Sequence, residues 1–259
     1  MIRKILSFFR KLAVFAFTTP LLKKVRRKSP ATYFLLAKRF NLRKFSGMPL
    51  TLLTLVLIGN LAMMLDTYED ILNTKEFIQT DNAVAEFLFG IRIDAVAKFF
   101  YIVTQLGNEF VILSGFIITT VYFIVRKKSH NIIGLLISVA GSALTVQIGK
   151  NIFKIKRPVM YSYYHMDSYS FPSGHSTVAV AFYGLIFYFL IRNAKKRNDK
   201  FALLISGLLL IVLIGFSRMY LCEHFLSDVL GGYLLGSLWL LLSISVLLWK
   251  EDKINSARR

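Results

Sequence analysis

The sequence contains few acidic residues and a single cysteine. Its 259 residues include 14 Asp and Glu against 33 Lys and Arg, which gives a formal net charge of +19. The lone Cys222 excludes an intramolecular disulfide framework and a zinc site built from several cysteines. Apolar residues, in contrast, are abundant: 55% of the chain is hydrophobic and 23 residues are Phe, which excludes an intrinsically disordered chain. A large positive charge is typical of nucleic-acid-binding proteins, so the positions of the basic residues have to decide between partners.

Charge-free apolar runs of the length that crosses a bilayer recur along the chain. They cover residues 45–65, 110–125, 129–149, 176–191, 201–217 and 229–249. The second run is short, but only Glu109 separates it from the uncharged residues 99–108, and Gly107 is a suitable place for a bend. The sequence therefore predicts an all-α, polytopic membrane protein with six transmembrane helices.

Lys and Arg are distributed unequally between the two sides that six spans create. Residues 1–44, 126–128, 192–200 and 250–259 hold 25 basic and three acidic residues, a net charge of +22. The opposite side holds eight basic and eleven acidic residues, a net charge of −3. Because cytoplasmic loops are enriched in Lys and Arg, both termini are predicted to be cytoplasmic. The excess charge is thus an orientation signal, and no nucleic-acid partner is predicted.

The basic N-terminal stretch lies outside the six spans. The uncharged piece 12–22 is too short to cross a bilayer, and phenylalanines alternate with Lys and Arg around it. Such a composition is typical of interfacial helices on anionic lipid, which we predict as a partner at the cytoplasmic surface. We accordingly predict a basic interfacial segment 1–46, a six-helix domain 47–250 and a short tail 251–259. The simplest interpretation of the first segment is an anchor without further function.

Three polar groups lie at the outer ends of the predicted spans, where charged side chains are costly and often functional. The groups are Lys150, Arg157 and Pro158 in KNIFKIKRP, Pro172, Ser173, Gly174 and His175 in FPSGHS, and Ser217, Arg218, His224 and Asp228 in SRMYLCEHFLSD. Groups distant in sequence that meet at one face of a helical bundle form a site between helices.

The first feature of this site is its ability to bind phosphate. Lys150, Arg157 and Arg218 are fixed cations with several donors, and such cations suit a phosphate that carries charge on several oxygens. Ser173 and Gly174 open a predicted helix, where backbone N–H groups and the helix dipole favour an anion.

The second feature is a set of groups for nucleophilic and acid–base chemistry. His224 and Asp228 are four residues apart, so on a helix they share a face, and the carboxylate fixes the tautomer that leaves the other ring nitrogen free to attack. His175, from another span, is suited to protonate the leaving oxygen. Together with the cations these residues predict a phosphoryl-transfer site. A metal site at the same residues is conceivable, but three neighbouring cations repel a metal ion, and neither a metal nor a cofactor is predicted.

The three motifs resemble those of a known family. K-x6-RP at 150–158, PSGH at 172–175 and SR-x5-H-x3-D at 217–228 look like the motifs of the type 2 phosphatidic acid phosphatase (PAP2) superfamily, in residue, spacing and order. The resemblance covers about residues 50–249 and favours the membrane lipid-phosphate phosphatase branch. It implies that His224 forms a phosphohistidine, activated by Asp228, and that His175 is the general acid. It further implies no metal requirement and assigns the phosphate to five residues: Lys150, Arg157, Ser173, Gly174 and Arg218.

The resulting hypothesis is an integral membrane enzyme, of a bacterial cytoplasmic membrane, that hydrolyses a lipid phosphate at the extracytoplasmic face. Undecaprenyl diphosphate is the first candidate substrate if the source is bacterial, and phosphatidylglycerol phosphate, phosphatidic acid and lipid A phosphate are alternatives. Two other functions stay open: a phosphotransferase that uses a second lipid as acceptor, and a non-catalytic lipid-phosphate binding or transport protein. The sequence does not indicate the oligomeric state.

A few residues near the motifs allow two interpretations each. His165 either contacts substrate or is simply solvated. The tyrosines of the same loop favour an interfacial aromatic belt over a specific pocket: Tyr161, Tyr163, Tyr164 and Tyr169. Glu223, beside His224, either tunes the site or faces water.

Overall fold

The computed structural model describes residues 29–30, 48–73, 75–158, 161–164 and 168–257, and the regular structure in these residues is helical. In chain order the helices are α1 Met48–Asn73, α2 Lys75–Gly90, α3 Asp94–Gln105, α4 Glu109–Val125, α5 Ser129–Phe153, α6 Gly174–Val178, a π-helix Ala179–Tyr183, α7 Gly184–Asn193, α8 Arg197–Tyr220 and α9 Leu226–Ala257. The all-α prediction is therefore confirmed. Most of the predicted interfacial segment 1–46, and His165, lie outside the described residues.

Within the described part of the chain, five stretches are long and apolar enough to cross a membrane. They are Asp94–Val125, Ser129–Phe153, Gly174–Asn193, Arg197–Tyr220 and Leu226–Ile254. Each of these stretches contains one of the predicted apolar runs. The chain is an integral membrane protein. The remaining run, 45–65, falls on α1, whose apolar part Thr54–Met63 is shorter than a span. The sixth span and the cytoplasmic termini stay predictions.

The first of these stretches is interrupted between α3 and α4. Helix α3 ends at Gln105 and α4 begins at Glu109, so the break includes Gly107, where a bend was predicted. Asn108 is the N-cap of α4, and its side-chain oxygen accepts a hydrogen bond from the Phe110 N–H at 3.0 Å. An Asn in this position satisfies a backbone donor that the first helical turn leaves open.

The three motifs belong to one compact unit within residues 59–247, whereas the described residues 48–58 and 248–257 belong to a second unit. Within the larger unit, one apolar cluster joins α4, α5, the π-helix, α7 and α9: Ile112, Phe123, Leu135, Phe182, Leu185, Phe189 and Leu247. A second joins α2, α3 and the end of α8: Leu88, Ala97, Phe100, Tyr220 and Leu221. Because lipid tails are as apolar as leucine, close van der Waals packing stabilises such contacts within the bilayer.

Close approach of α9 to the start of α6 brings two of the motifs together. A Cβ on Gly232 of α9 would lie 2.7 Å from the Ser173 carbonyl oxygen, closer than any side chain tolerates. Glycine here lets the two backbones meet. The Ser173 N–H in turn donates to the Asp228 carbonyl at 3.0 Å. The FPSGHS segment is thus held against the first turn of α9.

The span that begins with α6 contains a π-helix directly after the first helical turn. Residues Ala179–Tyr183 form it, and all but Tyr183 are buried. The Ser138 hydroxyl of α5 donates to the Ala181 carbonyl at 2.8 Å, which gives the widened turn a hydrogen-bond partner from a neighbouring helix. Single π turns within α-helices are found frequently at functional sites.

Candidate active site

His224 follows a tight turn at the end of α8. Cys222 has a left-handed backbone (φ 53°), the Cys222 N–H donates to the Met219 carbonyl, and the Glu223 N–H donates to the Arg218 carbonyl. These two bonds define a Schellman motif, which closes helix ends in this way, usually with glycine at the left-handed position. The turn carries the chain back toward the bundle, and only 3% of the His224 surface stays exposed.

One side of the His224 ring faces hydrogen-bonding oxygens. Its Nδ1 lies 3.3 Å from Asp228 Oδ2 and 3.2 Å from the Ser170 hydroxyl oxygen. Ser170 itself donates to the same carboxylate, and Oδ2 also accepts from the Phe225 N–H at 2.8 Å. The sequence predicted that His224 and Asp228 share a helix face; the structure brings them together with His224 just before α9 and Asp228 in its first turn.

The other ring nitrogen faces a cation. Arg157 Nη1 lies 3.1 Å from His224 Nε2 and donates to the Glu223 carbonyl at 2.6 Å. A guanidinium has no acceptor, so Nε2 accepts in this contact and its lone pair points toward Arg157. This arrangement assigns the ring proton to Nδ1, next to Asp228.

The Arg157 guanidinium is further held by the segment before the second motif. Its Nε donates to the Ser168 carbonyl at 2.7 Å and its Nη2 to the Ser168 hydroxyl at 2.9 Å. Lys150, in the last turn of α5, lies 3.4 Å from the same hydroxyl. Two of the predicted phosphate-binding cations therefore share one serine.

Arg218 is fully buried at the end of α8. Its Nη1 donates to the Thr104 hydroxyl of α3 at 2.9 Å and to the Tyr164 hydroxyl. A buried guanidinium needs such partners because an unpaired charge is costly in a low-dielectric surrounding.

The three predicted phosphate-binding cations all affect the pKa of His224. Burial holds the pKa of His224 well below its ordinary value, and the positive charges of Arg157, Arg218 and Lys150 lower that pKa further. His175 acts on it in the same direction. The imidazole is consequently neutral over the physiological pH range, which is the protonation state of a nucleophile.

The second motif opens α6. Ser173 is its N-cap, and its side chain accepts from the Ser176 N–H and from the Ser176 hydroxyl. The sequence predicts that the Ser173 N–H points at an anion. In the structure this N–H donates to the Asp228 carbonyl instead. Gly174 is the first helical residue, and phosphate binding by Ser173 and Gly174 stays a prediction.

His175 borders an apolar cavity. The cavity has a volume of about 920 Å³, and His175, Gly107, Phe116, Leu136 and Val139 are among its lining residues. A Cβ on Gly107 would lie 2.9 Å from His175 Cδ2, so the break between α3 and α4 packs directly on the imidazole.

Several residues of the site were not predicted from sequence. Ser170 links His224 to Asp228, and Thr104 binds Arg218. Asp81 of α2 accepts from both the N–H, at 3.0 Å, and the hydroxyl of Ser227 at the start of α9. Burial raises the pKa of Asp81. None of these residues carries a sequence signal, because each contact joins distant parts of the chain.

The structure decides one of the open interpretations and adds an observation to a second. Glu223 is fully buried, so it does not face water. The Tyr164 hydroxyl contacts Arg218, whereas the hydroxyl of the half-buried Tyr163 lies 3.5 Å from Asp94 and the Tyr163 ring packs on Arg92. Tyr164 is therefore in contact with a predicted site residue, and the interpretation of the loop tyrosines as an interfacial aromatic belt stays a prediction.

Comparison with known proteins agrees with the motifs. The model of the PAP2 superfamily matches residues 131–252, which include all three motifs. Phosphatidylglycerophosphatase B of Bacillus subtilis (strain 168) is 32% identical over 170 residues, which are 64% of this chain and 83% of that protein.

Solved structures are similar as well. One is a transmembrane PAP2-type phosphatidylglycerolphosphate phosphatase from Bacillus subtilis, with a TM-score of 0.64, 27% identity and coverage of 78% of this chain and 96% of that one. LpxE of Aquifex aeolicus matches with a TM-score of 0.52 and 23% identity over 63% of this chain and 94% of that one, a likeness of fold.

Proposed function

The chain belongs to the PAP2 superfamily, and on that premise we propose that it releases phosphate from a membrane lipid at the extracytoplasmic face through a phosphohistidine. The observation that carries the proposal is the two-sided environment of His224. Nδ1 faces Asp228 and Ser170, while the Nε2 lone pair faces the cation Arg157. A phosphate drawn to the cations arrives at the nucleophilic atom.

In the first step, His224 Nε2 forms a bond to phosphorus as the bond between phosphorus and the lipid oxygen breaks. His175 gives its proton to that leaving oxygen. The ring then carries positive charge, which the Asp228 carboxylate stabilises through Nδ1–H. In the second step, water attacks phosphorus, His175 takes up the water proton, and inorganic phosphate leaves Nε2.

Lys150, Arg157 and Arg218 stabilise the charge that develops on the phosphoryl oxygens. Three fixed cations supply the electrostatic stabilisation that a metal ion provides in other phosphatases, and they repel a metal ion from the same place. Activity in the presence of a chelator is therefore part of the proposal.

The lipid part of the substrate is supported by the cavity beside His175. Its walls are mainly apolar side chains of α4 and α5, among them Leu113, Phe116, Val139 and Val146. A cavity of this kind suits an acyl or prenyl chain, and because His175 lines it, the head group of a lipid bound there would lie near the proposed acid. Similarity to Phosphatidylglycerophosphatase B favours phosphatidylglycerol phosphate as first substrate, ahead of the undecaprenyl diphosphate that the sequence suggested.

The side of the membrane is supported by the charge pattern. The motifs lie at the ends of α5 and α8 and the starts of α6 and α9. At the other side, the start of α5 adjoins the basic stretch 126–128, the end of α7 and the start of α8 lie in the basic stretch 192–200, and the end of α9 lies in the basic stretch 250–259. The positive-inside rule directs those stretches to the cytoplasm of a bacterial cell. Right-side-out membrane vesicles test this orientation: a lipid phosphate at their outer face should be hydrolysed, and the phosphate should appear in the medium.

The decisive experiment uses purified protein in detergent with chelator and a panel of lipid phosphates. We expect free phosphate from phosphatidylglycerol phosphate, and an acid-labile phosphorylated protein when the substrate is radiolabelled on phosphorus. The His224→Ala protein should show neither, and retained activity would disprove the mechanism. Transfer of the label to a second lipid would identify a phosphotransferase, and binding without turnover of any lipid would identify a binding protein.

A further inference from the structure

The Glu223 carboxylate holds the short segment 161–164 against the site. Its Oε1 accepts hydrogen bonds from the Ser162 hydroxyl at 2.7 Å and from the Tyr164 N–H at 3.0 Å. The Tyr163 N–H adds a bond to the Leu221 carbonyl at 3.0 Å. One carboxylate oxygen therefore determines where the Tyr164 side chain begins.

The Tyr164 side chain ends at a predicted phosphate-binding cation. Its hydroxyl oxygen accepts from Arg218 Nη1, beside the Thr104 hydroxyl. The Arg218 guanidinium also lies over the Tyr164 ring, 5.6 Å from its centroid. Because the Tyr164 oxygen accepts in this bond, its own proton is directed away from the guanidinium and is available to an anion that Arg218 binds.

The burial of Glu223 calls for such a role. The side chain is fully buried, and Oε2 has no hydrogen-bond partner among the residues that the structure describes. A buried carboxylate that is only partly satisfied destabilises the fold, so its presence at this position requires an explanation. An apolar residue beside His224 would avoid this cost but would release the segment 161–164.

We propose that Tyr164 is a phosphate-contacting residue of this chain and that Glu223 is the positioning residue that holds it in place. The inference rests on the proposed function, because it uses the same phosphate site. The Tyr164 hydroxyl donates to a phosphate oxygen bound by Arg218, and Glu223 acts through the Tyr164 backbone. Neither residue lies in the K-x6-RP or PSGH motif, and Glu223 occupies a variable position of SR-x5-H-x3-D.

The test is the dissociation constant of inorganic phosphate, measured by titration calorimetry on the purified full chain in detergent. One hydrogen bond to a charged ligand corresponds to about tenfold or more in affinity. We expect Tyr164→Phe to weaken phosphate binding by about tenfold and Tyr163→Phe, the matched control, to leave it unchanged. Unchanged or tighter binding by Tyr164→Phe would overturn the inference, the latter because the hydroxyl would then compete with phosphate for Arg218.

The positioning role requires a second comparison. Glu223→Ala should weaken phosphate binding in the native background and have no further effect in the Tyr164→Phe background, because both act through one hydroxyl. Glu223→Gln keeps an acceptor for the Tyr164 N–H and should bind phosphate within about threefold of the native protein. If Glu223→Ala does not fold, Ser162→Ala takes its place in the same cycle. Additive losses would overturn the role of Glu223.

Failure of the inference and failure of the proposed function are separable. Binding of inorganic phosphate does not depend on turnover, so the calorimetric comparison stands whichever lipid is hydrolysed. Native activity with unchanged binding by Tyr164→Phe refutes the inference alone. Phosphate binding that requires Tyr164, without hydrolysis of any lipid, refutes the proposed hydrolysis alone. A native chain that neither binds phosphate nor hydrolyses any lipid phosphate refutes both.

Discussion

His224 Nε2 lies 3.1 Å from the Arg157 guanidinium, on the side of the imidazole opposite to Asp228. The ring is thereby fixed in one tautomer and one orientation before substrate arrives. In the proposed mechanism, a phosphate bound to Arg157 approaches along the direction of the Nε2 lone pair. Orientation in advance removes an entropic part of the barrier to attack.

The acid limb of the pH–rate profile should lie below the ordinary histidine range. In the proposed mechanism His224 attacks only when neutral, and burial together with Arg157, Arg218 and Lys150 lowers its pKa. As pH falls, activity is lost only when pH passes that lowered pKa, hence below about 6.5. We expect Arg157→Gln to shift the acid limb of kcat/KM upward, because one of the charges that lower the pKa is gone. Titration of the substrate is common to both proteins, so coincident limbs would contradict this explanation.

Asp228 and Ser170 should affect kcat more than KM, because both act on the ring nitrogen that becomes charged. We expect Asp228→Asn to lower kcat by about 10²–10⁴-fold. Ser170→Ala, which removes one hydrogen bond to the Asp228 carboxylate, should lower it about tenfold. The control is Ser245→Ala, since the Ser245 hydroxyl bonds to Leu241 of its own helix. Steady-state kinetics on one lipid measure all three, and a loss confined to KM would speak against the assignment.

Gly107 should be required for the direction of His175. An alanine Cβ would lie 2.9 Å from His175 Cδ2 and 3.1 Å from Ile214 Cγ2, so the imidazole has to move. We expect Gly107→Ala to lower kcat at least tenfold on lipid substrates. The loss should shrink on an aryl phosphate, whose good leaving group needs no proton.

Gly90→Ala is the matched control for this variant, since a Cβ at Gly90 meets nothing within 4 Å. Equal losses on the lipid and the aryl phosphate would mean that Gly107 acts on the fold and not on proton transfer.

Asp81 should stabilise the start of α9. Without its carboxylate, the buried N–H and hydroxyl of Ser227 lose their acceptor, at a cost of about 1–3 kcal/mol. We expect Asp81→Ala to lower both the Tm in detergent and kcat, since Asp228 lies one residue beyond Ser227. Glu86→Ala, at an exposed position of the same helix, should change neither. A normal Tm for Asp81→Ala would contradict this role.

The features that could be predicted from the sequence are those that form a pattern within one segment of the chain. A long charge-free run predicts a membrane-spanning helix because only such a run is stable in the bilayer. The spacing of His224 and Asp228 can likewise be recognised within one short segment. The runs end at charged residues, whereas α8 continues from Arg197 to Tyr220, because long basic side chains at a helix end can reach the interface.

The residues that sequence missed act over long separations. Thr104 lies in an uncharged run and looks like any other residue of a span, until Arg218 is placed beside it. Asp81 binds a residue that is 146 positions away. Side-chain hydroxyls and carboxylates that satisfy a distant partner leave no periodic signal, so the structure is needed to find them.

The π-helix Ala179–Tyr183 lies between His175 and the core residues Leu185 and Phe189 of α7. One added residue in a helix turns everything beyond it by about 100° relative to an uninterrupted α-helix. With α7 fixed by its packing, deletion of one residue from the π turn would rotate the imidazole of His175 to a different side of the bundle. The direction in which the proposed proton donor points therefore depends on the number of residues in the π turn. A side-chain substitution in the turn does not change that number.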